Sequence, residues 1–468
     1  MTTGHTPPPH LKPYDDVLQM VGWTPLVRLN RVTDGIRTPV YGKCEFMNPG
    51  GSVKDRIGLA MIEAAEAEGR LKPGGTVVEG TSGNTGLALA IAAAIKGYRC
   101  VFTLPDKMSH EKVKLLRAFG AEVIITPTAV PPDHPENYVM KAKTIAASLP
   151  NAVLANQFYN PANPQAHYES TGPELWAQSE GRITHFFSGA GTGGTITGTG
   201  RFLKDQNPDI RICGVDPVGS VIGPFFNTDE MTEGSPYKVE GLGNDKIPGT
   251  LDLGTVDSYV TVTDGDAFRM ARRLTREEGL FVGGSAGLIT HAAVELAREL
   301  DDPDAFVVTN LCDWGERYLS KVFDDDWMRE NGFLERPRTA SAGEMAASKE
   351  GAPAHLLSVA PTTSVQMALS SITTHGVSQV PVLVEHECVG TVTEGEAMAA
   401  VLEDPSVLDR SVESVMGPPL PVVDAHAAGE EVQRLLTRST PAVLVRGTDG
   451  FSIVTRFDVV RALTQNRS

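Results

Sequence analysis

The sequence predicts an α/β protein: open, mostly parallel sheets covered by helices, followed by a smaller α+β region. Three observations predict it. From about residue 41 to residue 319, short β-branched runs alternate with helical stretches, the rhythm of strand–crossover–strand units. Glycine-rich segments fall where a strand hands over to a helix, and ligands of open α/β sheets sit beyond the carboxyl ends of strands. After residue 335 the texture changes, and the final stretch carries a weak internal repeat, which marks a further domain.

The elements follow in order. Pro49-Gly50-Gly51-Ser52-Val53-Lys54 leads into a helix over 55–68. Small residues before Lys54 let a flat ligand approach the backbone, and lysine is the side chain that forms Schiff bases with carbonyls. Residues 76–79 read as a strand, 80–86 as a glycine-rich turn and 87–96 as a buried, alanine-rich helix. A strand at 99–104, a helix at 109–119 and a strand at 122–126 continue the alternation. It returns at 185–187, 196–203, 211–215 and 305–308. Residues 336–343 read as a linker. Two copies of strand, turn, strand and helix follow, over 380–396 and 441–458, with Thr393 and Thr455 in equivalent places 62 residues apart. Each copy alone is too small for a comfortable domain.

Composition narrows the function classes. With 468 residues, two to four domains are expected. A formal charge of −17 argues against a nucleic-acid partner, which needs clustered Lys and Arg. The five cysteines lie far apart with no C-x-x-C pair, which favours free thiols in a reducing compartment. There is no basic or apolar run at the start and no window of membrane-span length, so a cytoplasmic protein without a membrane partner is expected.

Three loops carry the chemistry. Thr81-Ser82-Gly83-Asn84-Thr85-Gly86 makes an anion nest at a helix N-terminus, or a plain strand-to-helix turn. Ser188 to Thr195 holds four glycines and two threonines in eight positions, suited to a phosphate held by backbone donors. No Lys follows its glycines, so it is not a P-loop. Gly283-Gly284-Ser285-Ala286-Gly287 places one hydroxyl against a ring nitrogen, or serves as a helix cap.

Together with the Lys54 segment, these loops resemble the β-family, or fold type II, of pyridoxal-phosphate enzymes. Within it the chain is most similar to the cystathionine beta-synthases. PDKMSHEKV at 105–113, QFYNPANPQAHY at 157–168, GVDP at 214–217, EGLGNDKIP at 240–248 and WMRENGFL at 327–334 carry that likeness. The tail repeat resembles the paired CBS domains, or Bateman module. The resemblance implies a catalytic core over 1–335 with a mobile subdomain at about 83–160. It also implies a linker over 336–350 and CBS repeats at about 351–405 and 411–466.

It further implies the roles of individual residues. Lys54 is the Schiff-base lysine and moves the α-proton. Gly191, Thr192, Gly193, Gly194 and Thr195 hold the phosphate. Asn84 bonds the ring phenolate, and Ser285 meets the pyridine nitrogen. Thr81, Ser82, Thr85 and Gln157 bind the substrate carboxylate, with Phe158 and Gly241 in the substrate pocket. A serine at the ring nitrogen weakens the electron sink and favours loss of a β-leaving group. The implied reaction joins L-serine to L-homocysteine, giving L-cystathionine, with hydrogen sulfide release from cysteine and homocysteine as a side activity. Phe158 and Gly315-Glu316-Arg317-Tyr318 lean toward O-acetylserine sulfhydrylase, the alternative reading. A cofactor-binding sensor without turnover is the alternative of another class. His5 and His10 stand in an arm without cysteine, and Arg211-Ile212-Cys213 stands where some relatives carry a C-x-x-C pair. No haem, no metal and no disulfide switch are therefore expected. In the tail, Thr455 and Asp458 form the Thr-x-x-Asp unit that binds an adenosyl ribose in such modules, so S-adenosylmethionine or an adenine nucleotide is the expected ligand class. An Asp helix cap is the plainer reading of Asp458. Relatives imply a homodimer or higher homo-oligomer.

Overall fold

The computed structural model describes residues 13–81, 83–106, 110–131, 133–334, 340–348, 356–437, 440–447 and 450–465. The chain divides into two compact units, Met1–Glu335 and Arg336–Ser468.

Among the described residues, ten strands build the first unit: β1 Leu26–Leu29, β2 Val40–Cys44, β3 Thr76–Gly80, β4 Arg99–Pro105, β5 Glu122–Thr126, β6 Ala152–Leu154, β7 His185–Gly189, β8 Arg211–Pro217, β9 Ser258–Val262 and β10 Val307–Leu311. They form two sheets. The larger has the order β1-β2-β10-β7-β8-β9, and the smaller β5-β4-β3-β6. Every pairing is parallel except β1 with β2. The sequence explains the parallel cores. Val77, Val78, Val101 and Phe102 are buried, as strands covered on both faces require. The helix Asn84–Lys96 is buried nearly all round. Its alanines let it lie close to the helix Lys54–Ala67, where a Cβ on Gly58 would meet the Ala88 Cβ at 2.6 Å.

The strand orders place the site. In the smaller sheet β4 and β5 extend to one side of β3, and β6 returns on the other. In the larger sheet β8 and β9 extend to one side of β7, and β10 returns on the other. Each reversal opens a crevice beyond the carboxyl ends of the central strands. The loops that leave β3, β7 and β10 all emerge there.

The second unit repeats a smaller theme. β11 Gln379–Val384 and β12 Glu387–Thr393 pair antiparallel and lead into the helix Glu394–Glu403. After β13 Val422–Asp424, β14 Ala442–Gly447 and β15 Gly450–Thr455 pair antiparallel and lead into the helix Arg456–Gln465. Val380, Val382 and Val392 fill the core of the first copy, and Val443, Val445 and Val454 that of the second.

Several elements differ from the sequence reading. The helix expected at 87–96 starts at Asn84, so the TSGNTG motif supplies its first turn. The strand expected at 305–308 runs Val307–Leu311. Part of the stretch read as linker is the helix Ala342–Ala347, closed by a capping box between Ser341 and Glu344. Its buried Ala342 and Met345 join the core of the second unit. Residues 336–339 and 349–350 of that stretch lie outside the described residues.

Candidate active site

The Lys54 segment is held by a short ladder. Ser52 pairs antiparallel with Asp313, the Val53 amide donates to the Cys312 carbonyl at 2.9 Å, and the Trp314 amide donates to the Gly51 carbonyl at 3.2 Å. Gly51 turns the chain at φ +74°, a backbone that glycine adopts without strain. Arg317 donates to the carbonyls of Gly50 and Gly51. Lys54 is then the first residue of its helix. Its ammonium has no hydrogen-bond partner among the described residues. Desolvation pushes its pKa below the usual lysine value, and Cys312, Asp313 and Glu45 act in the opposite sense. A shift in this direction favours the neutral amine, the form that attacks a carbonyl.

Beneath that helix lies a charge cluster that the sequence did not reveal. Arg56 donates to Glu45 at 2.7 and 2.8 Å and to Glu174 at 2.6 and 2.8 Å. Lys43 donates to Glu174 at 2.6 Å and to the Thr24 carbonyl at 2.8 Å. Lys43, Glu45, Arg56 and Glu174 are all buried. Two cations and two anions cancel, as buried charges must.

The two glycine-rich loops end in helix N-termini. Among the described residues, the amides of Asn84, Thr85 and Gly86 donate to no protein group, nor do those of Gly191, Thr192, Gly193 and Thr195. The backbone is packed tightly at the second loop. A Cβ on Gly191 would lie 2.2 Å from the Gly241 carbonyl oxygen. Gly193 has φ +85° and faces Leu251. The Thr192 carbonyl accepts from Thr250 at 2.6 Å, and its hydroxyl accepts from Asn163 at 3.0 Å. His167, in a π-helical turn, lies 3.2 Å from the Thr195 hydroxyl and 2.8 Å from the Thr171 hydroxyl. Burial pushes His167 down to about 3, so it is neutral.

Both crevices open into one cavity of about 670 Å³. Lys54, Thr81, Asn84 and Thr85 face it, as do Gln157, Phe158, Gly191, Thr192 and Gly241. Gln157 accepts from the Thr85 hydroxyl at 2.7 Å. Its backbone is set by Glu79, whose carboxylate accepts from the amides of Asn156 at 2.7 Å and Gln157 at 3.3 Å. Burial raises Glu79 to about 7. Gly193, Gly194 and Thr195 form the turn behind Thr192. Ser285 is buried in the first turn of the helix Gly284–Leu300, beside the Cys312 thiol, which burial raises to about 12. It is not the N-cap; Gly283 occupies that position. Ser82 lies outside the described residues. In the second unit, the Asp458 carboxylate accepts from the Thr455 amide and hydroxyl, each at 2.7 Å. The first copy echoes this, with the Thr393 hydroxyl donating to Glu396 at 2.7 Å.

Sequence reasoning missed other groups at the cavity. Asp313 accepts from the Asn84 side-chain amide at 2.8 Å and from the Tyr318 hydroxyl at 2.6 Å. At the mouth, Glu240 accepts from Lys112 at 2.8 Å and from Lys321 at 2.6 Å. A signal for Asp313 was present. It lies two residues beyond the end of β10, and carboxyl ends of strands are where such sheets bind ligands.

The residues fit pyridoxal phosphate. A desolvated lysine without a partner stands ready for its aldehyde. The amides of Gly191, Thr192, Gly193 and Thr195, undonated among the described residues and at a helix N-terminus, suit its phosphate dianion. Comparison with known proteins agrees. Residues 17–313 match the family model described as pyridoxal-phosphate dependent enzyme, and residues 354–403 match the CBS domain. The cystathionine beta-synthase of Dictyostelium discoideum is 37% identical over 97% of this chain and 93% of its own. That of Apis mellifera is 45% identical over 68% of this chain, a match that spans 63% of the bee protein. A crystal structure of O-ureido-L-serine synthase, 39% identical, superposes on 68% of this chain and all of its own with a TM-score of 0.62. The chain, with its pyridoxal-phosphate-enzyme core and its CBS tail, belongs to the cystathionine beta-synthase family of pyridoxal-phosphate-dependent enzymes.

Proposed function

We propose that the protein condenses L-serine with L-homocysteine to L-cystathionine and water. The observation that carries this reading is the setting of Lys54, desolvated and, among the described residues, unpartnered, at a cavity into which two helix starts open whose amides donate to none of those residues. Bound pyridoxal phosphate supplies the electron sink for a carbanion at the substrate's Cα. Lys54 anchors the cofactor and, once displaced by the substrate's amine, takes the α-proton. Thr81, Ser82, Thr85 and Gln157 receive the substrate carboxylate, aided by the amides of the helix start at Asn84. Gly191 to Thr195 hold the phosphate, Asn84 the ring oxygen and Ser285 the ring nitrogen. Phe158 and Gly241 shape the pocket for the side chain. Loss of a cysteine thiol from Cβ in place of hydroxide gives hydrogen sulfide as a side product.

The tail is the regulatory or assembly-directing part, with Thr455 and Asp458 meeting an adenosyl ribose. The protein works in the cytoplasm as a homodimer or higher homo-oligomer. Met398, Leu402 and Phe457 are exposed on helices of the second unit, an apolar surface of the kind that assembly covers.

Steady-state assays with serine plus homocysteine, beside O-acetylserine plus sulfide, test the reading. Turnover with the first pair is expected to dominate, and Lys54→Ala is expected to abolish both it and the yellow colour. Dominance of the second pair would make the protein a cysteine synthase, and no turnover with either would leave a sensor. Calorimetry with S-adenosylmethionine and adenine nucleotides tests the tail. Binding that survives Asp458→Ala would refute the ribose site.

A further inference from the structure

Asp313 stands where three parts of the site meet. Its backbone pairs with Ser52 of the Lys54 segment. Its carbonyl accepts from the Gly283 amide at 3.1 Å, two residues before Ser285. Its side chain accepts from Asn84, the first residue of the helix Asn84–Lys96, at 2.8 Å. That bond joins the larger sheet's β10 loop to the smaller sheet's first crossover helix. A carboxylate only accepts. It therefore decides which end of the Asn84 amide faces it: one N–H goes to Asp313 and the other is left for an acceptor in the cavity. The second oxygen of Asp313 is buried without a partner among the described residues. It lies so close to Gly283 that a Cβ there would approach it to 2.3 Å. Buried polar atoms are rarely left unpaired, and one that is calls for an explanation.

We propose that Asp313 is a positioning residue of this site, which fixes the amide of Asn84 toward the cofactor's ring oxygen and sets its carboxylate against the Lys54 segment. The inference rests on the assignment of Lys54 as the residue that anchors pyridoxal phosphate. Tyr318 tempers the charge, because its hydroxyl donates to the same oxygen that Asn84 uses. Other groups act on the lysine as well. Cys312, Asp313 and Glu45 all favour its protonated form, and Lys54 in turn acts on His167. Cys312 is a neutral thiol at ordinary pH, and Glu45 is neutralised by Arg56. Asp313 is thus the group left to act.

The test follows the pH midpoint of the visible band of the full-length protein loaded with pyridoxal phosphate, together with its dissociation constant. Asp313→Asn keeps the shape and removes the charge. It is expected to lower the proton affinity read at the midpoint about tenfold, one pH unit, and to weaken cofactor binding. Asp313→Glu restores the midpoint in large part. Tyr318→Phe shifts the midpoint the opposite way, upward, because the carboxylate loses a donor. A D313N protein with weakened binding and an unmoved midpoint would make the role merely structural and overturn the proposal. So would a downward shift in Y318F, which keeps the test open if D313N does not fold. If the wild type shows no band, or keeps it in Lys54→Ala, it is the cofactor assignment that falls.

Discussion

Asp55 follows the lysine and carries a charge problem of its own. One carboxylate oxygen accepts from the Gly50 amide at 2.6 Å, and the other is buried without a partner among the described residues. Burial, partly offset by that amide and by Arg317, raises its pKa from 3.8 to about 7. A raised folded value means that stability is fully present below pH 4 and is lost as pH rises to about 7. The loss amounts to about 4 kcal/mol. Asp55→Asn removes the dependence. Its denaturation midpoint is expected to gain on the wild type steadily between pH 4 and 7, with no further gain above. A constant difference across that range would refute the assignment. Residues of this kind were half legible. Lys54, Asn84 and Gln157 could be found because their neighbours form motifs. Asp313 and Glu79 act through partners more than 70 residues away, and pairing at that distance leaves no local pattern.

At the scale of elements, the helix Lys54–Ala67 is as firmly placed from below as from above. Arg56 grips two carboxylates with its planar fork, and Lys43 shares one of them. Removing one partner of such a cluster leaves buried charge uncompensated. Arg56→Met is expected to cost about 3–5 kcal/mol, read as a lowered urea midpoint. Arg56→Lys is expected to rescue little of it, since an ammonium cannot bond both forks at once. Full stability in R56M would show that the cluster contributes nothing net. Of the strands with apolar runs, β5 at 122–126 was read to the residue, and β3 and β4 to within one residue at their ends. β6, with three residues, and β9, Ser-Tyr-Val-Thr-Val, were not, because neither a short run nor a polar edge strand carries a clear period. The late start assigned to the helix Asn84–Lys96 has the same root. Thr-Ser-Gly-Asn-Thr-Gly reads as a turn, yet burial of Thr85 and Gly86 continues the helix into it.

Across the whole molecule, the two units keep separate cores, and the change of texture near residue 335 announced that division. The boundary was less legible, since Ala342–Ala347 reads as polar spacer until its capping box and its two buried side chains are paired with the tail. The first unit extends well past its family match. Phe268 packs against Trp327 and Phe333, and Val322 and Met328 are buried in the same core. A chain ended at Leu334 is expected to fold, turn yellow with pyridoxal phosphate and retain β-replacement. One ended at Asp313 is expected to be insoluble. Equal behaviour of the two would contradict the core assignment. The buried quartet of Lys43, Glu45, Arg56 and Glu174 also bears on descent. Each single step from it to an apolar core passes through a lone buried charge, a loss that approaches the whole margin of a typical domain. Lineages carrying the quartet are therefore confined to it. Its four positions should change together or not at all, whether or not the arrangement is the most stable one available.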